Sequence, residues 1–223
     1  ITLTDEGEFV LDEQGDLVLD EEAVTRFVDE LADRYDTVGA TRQFRATNGE
    51  TIAVSGGTYG NKLDQKAEVA YLLKAFGERR SEIHTPEYTH MALLQGKDDI
   101  GDTYIEIDMT AQQMYYYSAG ECVLSTPVVT GNTALRRGTP VGVNFVYSKE
   151  RNRILRGEDY ASPVDYWMPV NGGIGIHDAS WRSEYGGEIY KTDGSHGCIN
   201  TPRDKVEQLF EMVELGTPCV MYY

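Results

Sequence analysis

The spacing of apolar residues predicts two amphipathic helices in the first hundred positions. Within residues 20–34, apolar side chains recur at i, i+3, i+4 and i+7, and they are Val24, Phe27, Val28 and Leu31. A second helix is expected to begin after Asp64, whose carboxylate suits an N-cap, and to end at Gly77. The apolar stripe of this second helix consists of Val69, Leu72, Leu73 and Phe76.

A different pattern lies between these two helices. Strand-like runs around Phe44 and at Ile52–Val54 flank Asn48-Gly49, a dipeptide typical of a tight hairpin turn. A loop follows, marked by Gly56, Gly57 and Gly60. Helices and hairpin together predict a small α+β domain.

Beyond residue 100 the pattern changes from helical to alternating. The polar stretch 96–102 is flanked by glycines, so we predict one domain over residues 1–100 and a second over residues 101–223. Short apolar runs then alternate with turn signals, which predicts a mainly β domain built as a sandwich or barrel-like sheet. One C-terminal helix is expected, with Thr201 as N-cap, Pro202 at its first position and Gly216 after its end.

Composition and charge exclude several classes of function. Of the 223 residues, 40% are apolar, which is enough for a packed core. The net charge of −17 argues against nucleic acid as a partner, because phosphate binding needs clustered Lys and Arg. Residues 1–36 hold 13 acidic and 2 basic side chains, a net of −11 that is typical of a solvated acidic face. A role in binding cations or repelling wall polymers is the alternative for this segment.

The sequence contains no stretch of about 18 uninterrupted apolar residues, the length that a membrane span needs. The chain begins at Ile1 without an initiator Met, so we interpret it as a trimmed fragment. The sequence leaves open whether a membrane anchor lies upstream of this fragment.

The three cysteines differ in their surroundings. Cys198 lies in a polar, glycine-containing loop, whereas Cys122 and Cys219 lie in apolar, strand-like runs. We expect these last two to be small buried side chains, and a disulfide between them is the alternative that the sequence leaves open. An odd number of cysteines excludes complete pairing within one chain.

The residue types around Cys198 favour nucleophilic catalysis. A cysteine attacks as a thiolate, and an ion pair with a nearby imidazole would lower the thiol pKa and make the thiolate available. The candidate bases are His177, 21 positions earlier (198 − 177), and His196, two positions earlier. Two histidines and one cysteine lack the paired spacing of structural zinc sites, so no metal is expected. His84 and His90 are expected to be surface histidines or to have a partner.

Neighbouring residues fit acyl transfer. Gly197 has no Cβ, so the backbone can turn sharply there and a substrate carbonyl can approach it closely. Successive backbone N–H groups around His196–Cys198 would then point at an oxyanion. Ser195 can hydrogen-bond near the thiolate or orient an imidazole, and Asp178 can orient the neighbouring imidazole through its side chain or its backbone carbonyl.

From Ile105 to the C-terminus the sequence resembles the L,D-transpeptidase (YkuD-type) catalytic domain of bacterial cell walls. The motifs that carry this resemblance are Pro127-Val128-Val129-Thr130-Gly131, Gly138-Thr139-Pro140-Val141-Gly142, Ile174-Gly175-Ile176-His177-Asp178, Ser195-His196-Gly197-Cys198-Ile199-Asn200 and Gly216-Thr217-Pro218. The gap of 17 residues between His177 and Ser195 (178 to 194) also fits that family.

The resemblance implies a reaction. Cys198 would be the acylated nucleophile and His177 the general base, oriented by the backbone carbonyl of Asp178. The thiolate would attack the bond between the third residue and the terminal D-Ala of a tetrapeptide stem, D-Ala would leave, and an amine of a second stem would resolve the thioester into a 3→3 cross-link. The resemblance also implies sensitivity to carbapenems, a location outside the cytoplasm at the wall or membrane surface, a monomer, and no cofactor.

Supporting residues follow from the same resemblance. The oxyanion pocket would be shaped by His196 and Gly197, and Ser195 would support the site. Many members have Arg where this chain has Asn200, so we expect Asn200 to hydrogen-bond the loop instead of pairing with a substrate carboxylate. The segment Leu155–Asn171 is a candidate lid and stem-binding wall, with ordinary packing as the alternative. The candidate substrate contacts are Tyr160, Tyr166, Trp167, Met168, Trp181 and Asn200.

The first domain resembles a peptidoglycan-binding module that precedes this catalytic domain in some Gram-positive enzymes. The matching parts are Gly56-Gly57-Thr58-Tyr59-Gly60, the helix containing Glu68, and the stretch from Arg79-Arg80 to Pro86-Glu87-Tyr88, although Asn61 stands where that module often has Trp. A role limited to positioning or shielding the active site is the alternative. For the whole chain, the alternatives are an L,D-carboxypeptidase or wall-lytic cysteine peptidase, and a non-catalytic wall-binding protein.

Overall fold

The computed structural model describes residues 2–157 and 160–223. The helices are α1 (Glu21–Tyr35), α2 (Gln65–Gly77), α3 (Ile189–Asp193) and α4 (Arg203–Met212). The strands are β1 (Arg42–Arg45), β2 (Thr51–Val54), β3 (Lys62–Leu63), β4 (Tyr88–His90), β5 (Tyr104–Asp108), β6 (Gln113–Ser118), β7 (Glu121–Pro127), β8 (Gly142–Phe145), β9 (Glu150–Arg156), β10 (Ala161–Asn171), β11 (Ile174–Asp178), β12 (Ile199–Thr201) and β13 (Pro218–Tyr222). Among the described residues, no helix is both long enough and apolar enough to cross a membrane.

The chain divides into two compact units. The smaller unit comprises Ile1–Thr37 and Asn61–Met91, and the larger comprises Val38–Gly60 and Ala92–Tyr223. This division differs from a single boundary between residues 100 and 101, because the predicted hairpin and the glycine loop lie with the larger unit.

Backbone hydrogen bonds to β8 place the glycine loop in the larger unit. The N–H of Tyr59 donates to the carbonyl of Val143 at 3.0 Å, and the N–H of Val143 donates to the carbonyl of Gly56 at 3.1 Å. Gly57 lies between these bonds with a φ of +92°, and a Cβ there would be 2.0 Å from the oxygen of Val143. Only glycine allows so close an approach of two backbone segments.

A buried ion pair also belongs to the larger unit. Arg42 on β1 makes two hydrogen bonds of 2.7 Å to the carboxylate of Asp99, one from Nε and one from Nη2. The guanidinium donates further to the carbonyls of Ala40 and Tyr59, at 3.2 and 3.1 Å. These bonds satisfy the charge of a side chain that is removed from water.

In the smaller unit, α2 begins as the sequence predicts, and α1 begins one residue later than predicted. The carboxylate of Asp20 accepts from the N–H of Ala23 at 3.1 Å, and that of Asp64 accepts from the N–H of Ala67 at 3.0 Å, so both helices have an N-cap. Their apolar faces share a core with β3, formed by Val28, Leu31, Ala32, Leu63, Val69 and Leu72.

The fully apolar stripe predicted for α2 is only partly correct. Phe76 is exposed, and the buried residue of α2 is Glu68. The carboxylate of Glu68 contacts Nε2 of His84 at 2.8 Å, and the ring of His84 stacks on Tyr71. His84 therefore has partners, as one of the two predictions for it required.

Two sheets form the larger unit, together with the β1–β2 hairpin. One sheet has the strand order β7-β6-β5-β13-β8 and the other β12-β11-β10-β9. A single apolar cluster draws on both sheets and on α4, with Ile107, Met114, Met168, Ile176, Ile199, Leu209 and Met221 among its members. This confirms a mainly β domain with a C-terminal helix, and the short α3 adds a helix that the pattern did not predict.

The start of α4 differs from the prediction by one residue. Thr201 belongs to β12, where its hydroxyl donates to the carbonyl of Ile199 at 3.3 Å, and Pro202 occupies the N-cap position. The helix ends at Met212, and Gly216 lies beyond it in a turn with a φ of +90°. Pairing of β12 with β11 delays the helix, because the strand retains Thr201.

Two carboxylates of β5, Glu106 and Asp108, are buried. Glu106 accepts from the N–H and hydroxyl of Thr47 at 2.9 and 2.7 Å and from the hydroxyl of Tyr222 at 2.5 Å. Cys122, expected to be buried, is an exposed free thiol, and Cys219 is buried and also free, so the alternative disulfide is not formed.

Candidate active site

Two neighbouring parallel strands position the predicted base. β11 pairs in parallel with β12, and this register sets His177 opposite Asn200. Nδ1 of His177 is 2.6 Å from the carbonyl oxygen of Asp178. A carbonyl only accepts, so Nδ1 carries the proton and Nε2 retains its lone pair. Nε2 accepts a hydrogen bond from the side-chain amide of Asn200 at 3.2 Å.

The side chain of Asp178 contacts β10. Its Oδ1 accepts from the backbone N–H groups of Asp165 and Tyr166, both at 2.9 Å. Of the two ways in which Asp178 was expected to orient His177, the structure shows the backbone carbonyl. The carboxylate instead fixes β10 beside β11.

Cys198 lies in the loop immediately before β12. Its Sγ donates to the carbonyl of Gly173 at 3.7 Å and packs beside Trp167 and Leu155. The hydroxyl of Ser195 donates to the carbonyl of Cys198 at 2.5 Å and accepts from the N–H of Gly197 at 3.0 Å. Ser195 therefore braces the turn that carries the thiol.

Gly197 has a conformation that other residues rarely adopt. Its φ is +116°, and a Cβ there would lie 2.6 Å from Cδ1 of Ile174. Its carbonyl accepts from the hydroxyl of Thr139 at 2.7 Å. Because its N–H donates to Ser195, this group does not point at a substrate oxygen in this conformation, which differs from the oxyanion geometry expected from the sequence.

His196 has one charged and one aromatic neighbour. Nη1 of Arg137 donates to its Nε2, and its ring centroid is 4.8 Å from that of Tyr160. Nε2 of His196 thus accepts a charge-assisted hydrogen bond, whereas Nε2 of His177 accepts from a neutral amide. Of the two candidate bases, this geometry favours His177.

Burial controls the protonation of both reacting groups. Removal from water raises the pKa of the Cys198 thiol, partly offset by a backbone hydrogen bond from Gly175. Burial likewise lowers the pKa of His177, although the carbonyl of Asp178 opposes the shift. Both directions favour a neutral thiol beside a neutral imidazole. The sequence had suggested an ion pair instead, which these two directions do not favour.

A cleft of about 240 Å³ brings most of the predicted residues together. Its lining consists of Leu155, Tyr160, Ser162, His177, Trp181, Arg182, Asp193, Gly194, Ser195, His196, Cys198 and Asn200. Trp181 also lies 5.9 Å from the imidazole of His177, measured between ring centroids. Nucleophile, base, Ser195 and three of the six predicted substrate contacts thus share one cavity.

The other three predicted contacts lie outside the lining. Tyr166 and Met168 point from β10 into the apolar core, where the hydroxyl of Tyr166 donates to Glu207 at 2.6 Å. Trp167, on the opposite face of the same strand, packs against Cys198. The predicted lid is the β9–β10 hairpin, and its residues 158 and 159 lie outside the described residues.

Sequence reasoning missed three residues of this site. Thr139 holds Gly197 from 58 positions away (197 − 139), and Arg182 and Asp193 form part of the cleft wall. Thr139 belongs to one of the motifs that carry the resemblance, which was the available signal. A single Arg after Trp181 gave no signal. The described residues contain no group of three or more His, Cys, Asp or Glu side chains placed to hold a metal.

Comparison with known proteins agrees with this geometry. The family model described as "L,D-transpeptidase catalytic domain" matches residues 102–221, and the model described as "Putative peptidoglycan binding domain" matches residues 10–84. A crystal structure of a cysteine-to-serine variant of the Enterococcus faecium L,D-transpeptidase is similar over 96% of this chain and 86% of its own, with 37% identity and a TM-score of 0.82. The avibactam carbamoyl enzyme of Ldtfm is similar over 96% of this chain and 85% of its own, with 38% identity and a TM-score of 0.82.

A curated relative is similar over a shorter stretch. The "Probable L,D-transpeptidase 3" of Mycobacterium tuberculosis is 32% identical over 94 residues, which are 37% of this chain and 34% of that protein. The match therefore spans about a third of the length of this relative. The first family model covers more than half of the chain and includes His177 and Cys198, and the two solved structures extend the likeness over nearly all of it. The chain therefore belongs to the L,D-transpeptidase family.

Proposed function

We propose that this chain is a cysteine acyltransferase that makes 3→3 cross-links between tetrapeptide stems of peptidoglycan. The observation that carries the proposal is the common cleft of Cys198 and His177, in which Nε2 is the ring nitrogen without a proton. A thiol nucleophile needs such an acceptor. Family membership supports the choice of substrate.

The first half of the reaction forms a thioester. Sγ of Cys198 attacks the carbonyl of the third stem residue while Nε2 of His177 takes the thiol proton. The bond to D-Ala breaks, and the imidazolium returns that proton to the leaving amine. In the present conformation Sγ donates to Gly173 and Nε2 accepts from Asn200, so both bonds must be exchanged before transfer.

The second half transfers the acyl group. An acceptor amine attacks the thioester carbonyl, gives a proton to His177, and the thiol is restored. Water would give a carboxypeptidase reaction instead, so a dry site favours transfer. The packing of Trp167 and Leu155 around Cys198 supports such exclusion.

Roles for the remaining residues follow from their contacts. Ser195 holds the turn, Asn200 and the carbonyl of Asp178 set the tautomer and orientation of His177, and Gly197 provides the sharp turn. Tyr160, His196 and Trp181 form the walls against which a stem would lie. We propose no contact with the stem for Tyr166 and Met168.

The same site is proposed to accept strained acyl donors. The solved structure of the avibactam carbamoyl enzyme of Ldtfm supports this proposal, because that similar chain forms a carbamoyl enzyme with avibactam. Carbapenems are expected to acylate Cys198 and to add their mass to the intact protein. We also propose that the chain acts outside the cytoplasm as a monomer and that the smaller unit binds peptidoglycan, which the second family match supports.

The decisive test uses a purified disaccharide-tetrapeptide and mass spectrometry. We expect dimers that have lost one D-Ala, and their absence with Cys198→Ala. Cys122→Ala is the matched control, since it removes an exposed thiol outside the cleft and should leave the reaction intact. Loss of D-Ala without dimers would indicate a carboxypeptidase, and no reaction with stem or carbapenem would favour a wall-binding protein.

A further inference from the structure

A buried guanidinium lies in the wall of the cleft. The side chain of Arg182 is only 9% exposed, yet it lines the same cavity as Cys198 and His177. Arginine is strongly hydrated and permanently charged, so burial requires anionic or acceptor partners. The partners of Arg182 therefore show what this part of the cleft is built to hold.

One residue supplies those partners. Nη1 of Arg182 donates to Oδ2 of Asp193 at 3.0 Å, and Nη2 donates to the backbone carbonyl of Asp193 at 2.7 Å. Nε is buried and has no hydrogen-bond partner among residues 2–157 and 160–223. Buried donors without an acceptor are rare, and the edge of a guanidinium formed by Nε and one terminal nitrogen is suited to a carboxylate.

The two partners differ greatly in exposure. The side chain of Asp193 is 82% exposed, whereas that of Arg182 is 9% exposed. Asp193 is the last residue of the five-residue α3, and Gly194 follows it. An exposed carboxylate contributes little to such a pair, so the buried cation can still gain from a second anion at Nε.

We propose that Arg182 binds the free carboxylate of the terminal residue of the donor stem through Nε, while Asp193 holds the two terminal nitrogens. This inference rests on the proposed function, because it names what the cleft recognises. In a tetrapeptide the terminal carboxylate belongs to the residue whose nitrogen leaves. It therefore enters the cleft beside the carbonyl that Cys198 attacks.

The charges of the cleft support this assignment. Among the described residues that line it, Arg182 is the one with a permanent positive charge and Asp193 the one with a carboxylate. A stem that ends in a carboxylate would complete the hydrogen bonds of Nε and place a second anion beside the guanidinium. When D-Ala leaves, its carboxylate leaves with it, and Asp193 stays paired with Arg182. Repulsion between the two anions would thus favour departure of the product.

Binding can be measured apart from the reaction in a Cys198→Ala background. The probes are a tetrapeptide stem that ends in the free acid and the same stem that ends in the amide. We expect the acid to bind ~10- to 100-fold more tightly than the amide, the range for hydrogen bonds to a charged group. Arg182→Gln should abolish this preference and leave the affinity for the amide unchanged.

The second variant separates recognition from support of the loop. Asp193→Asn removes the second negative charge beside the guanidinium and should raise the affinity for the acid. If the Arg182–Asp193 pair were purely structural, both variants would bind both probes more weakly. The latter result, or an equal affinity of the parent for acid and amide, would overturn the proposal. Acylation of the protein with native Cys198 tests the proposed function separately. If Cys198 is not acylated but the acid still binds more tightly than the amide, the proposed function fails and the role of Arg182 stands.

Discussion

The buried pair of Arg42 and Asp99 allows a sharp test of how the larger unit is held together. The side chains are 6% and 0% exposed, and two hydrogen bonds of 2.7 Å join them. Asp99→Asn keeps the shape of the side chain but removes its charge and turns one acceptor into a donor. Breaking a buried ion pair in this way costs about 3–5 kcal/mol of unfolding free energy. For a protein of this size, that corresponds to about 6–20 °C in melting temperature.

Urea unfolding of the larger unit measures this change. A shift in midpoint at constant slope would report stability alone. Asp165→Asn is the matched control, because Arg203 contacts Asp165 at the same 2.7 Å but the side chains are 56% and 48% exposed. The control should unfold close to the parent, and its small effect should vanish in high salt, unlike that of Asp99→Asn. Equal shifts for the two variants would refute the argument that burial sets the effect.

Two further predictions concern the nucleophile loop. Because burial raises the thiol pKa of Cys198, alkylation by iodoacetamide should be slow at neutral pH and still increase beyond pH 9, and a plateau below pH 7 would instead indicate an ion pair with His177. Gly197→Ala places a Cβ at a φ of +116° and 2.6 Å from Cδ1 of Ile174, so we expect at least tenfold slower acylation and about 1–3 kcal/mol lower stability. Gly187→Ala, with open space around its Cβ, is the control, and equal acylation rates for the two variants would contradict the argument.

Local features of the fold were predictable from the sequence. Asp20 and Asp64 cap their helices, and the Asn48-Gly49 dipeptide joins β1 to β2, because caps and turns depend on neighbouring residues. Burial of Glu106 was not predictable, since its partners are distant in sequence. Thr201 was assigned to a helix because local propensity carried no information about pairing with β11.

The candidate site shows the same limit. The motifs around His177 and Cys198 contain five residues that line the cleft, because their order and spacing are specific: His177, Ser195, His196, Cys198 and Asn200. Protonation was not predictable, since burial raises the pKa of the thiol and lowers that of the imidazole. The place of Arg182 in the cleft wall was not predictable either, because it depends on burial beside Asp193.

The parallel pairing of β11 and β12 has a consequence for how such enzymes can diversify. The register fixes His177 opposite Asn200, two residues after Cys198, through hydrogen bonds that do not involve the connection between the strands. Residues 179–194, the part of that connection before Ser195, carry Trp181, Arg182 and Asp193 into the cleft wall. Insertions or deletions within these residues are expected to change which stem the cleft admits while leaving the reacting pair in register. The proposed reaction and the proposed selectivity for the stem thus depend on separate segments. Grafting residues 179–194 between homologues is therefore expected to change cross-link specificity.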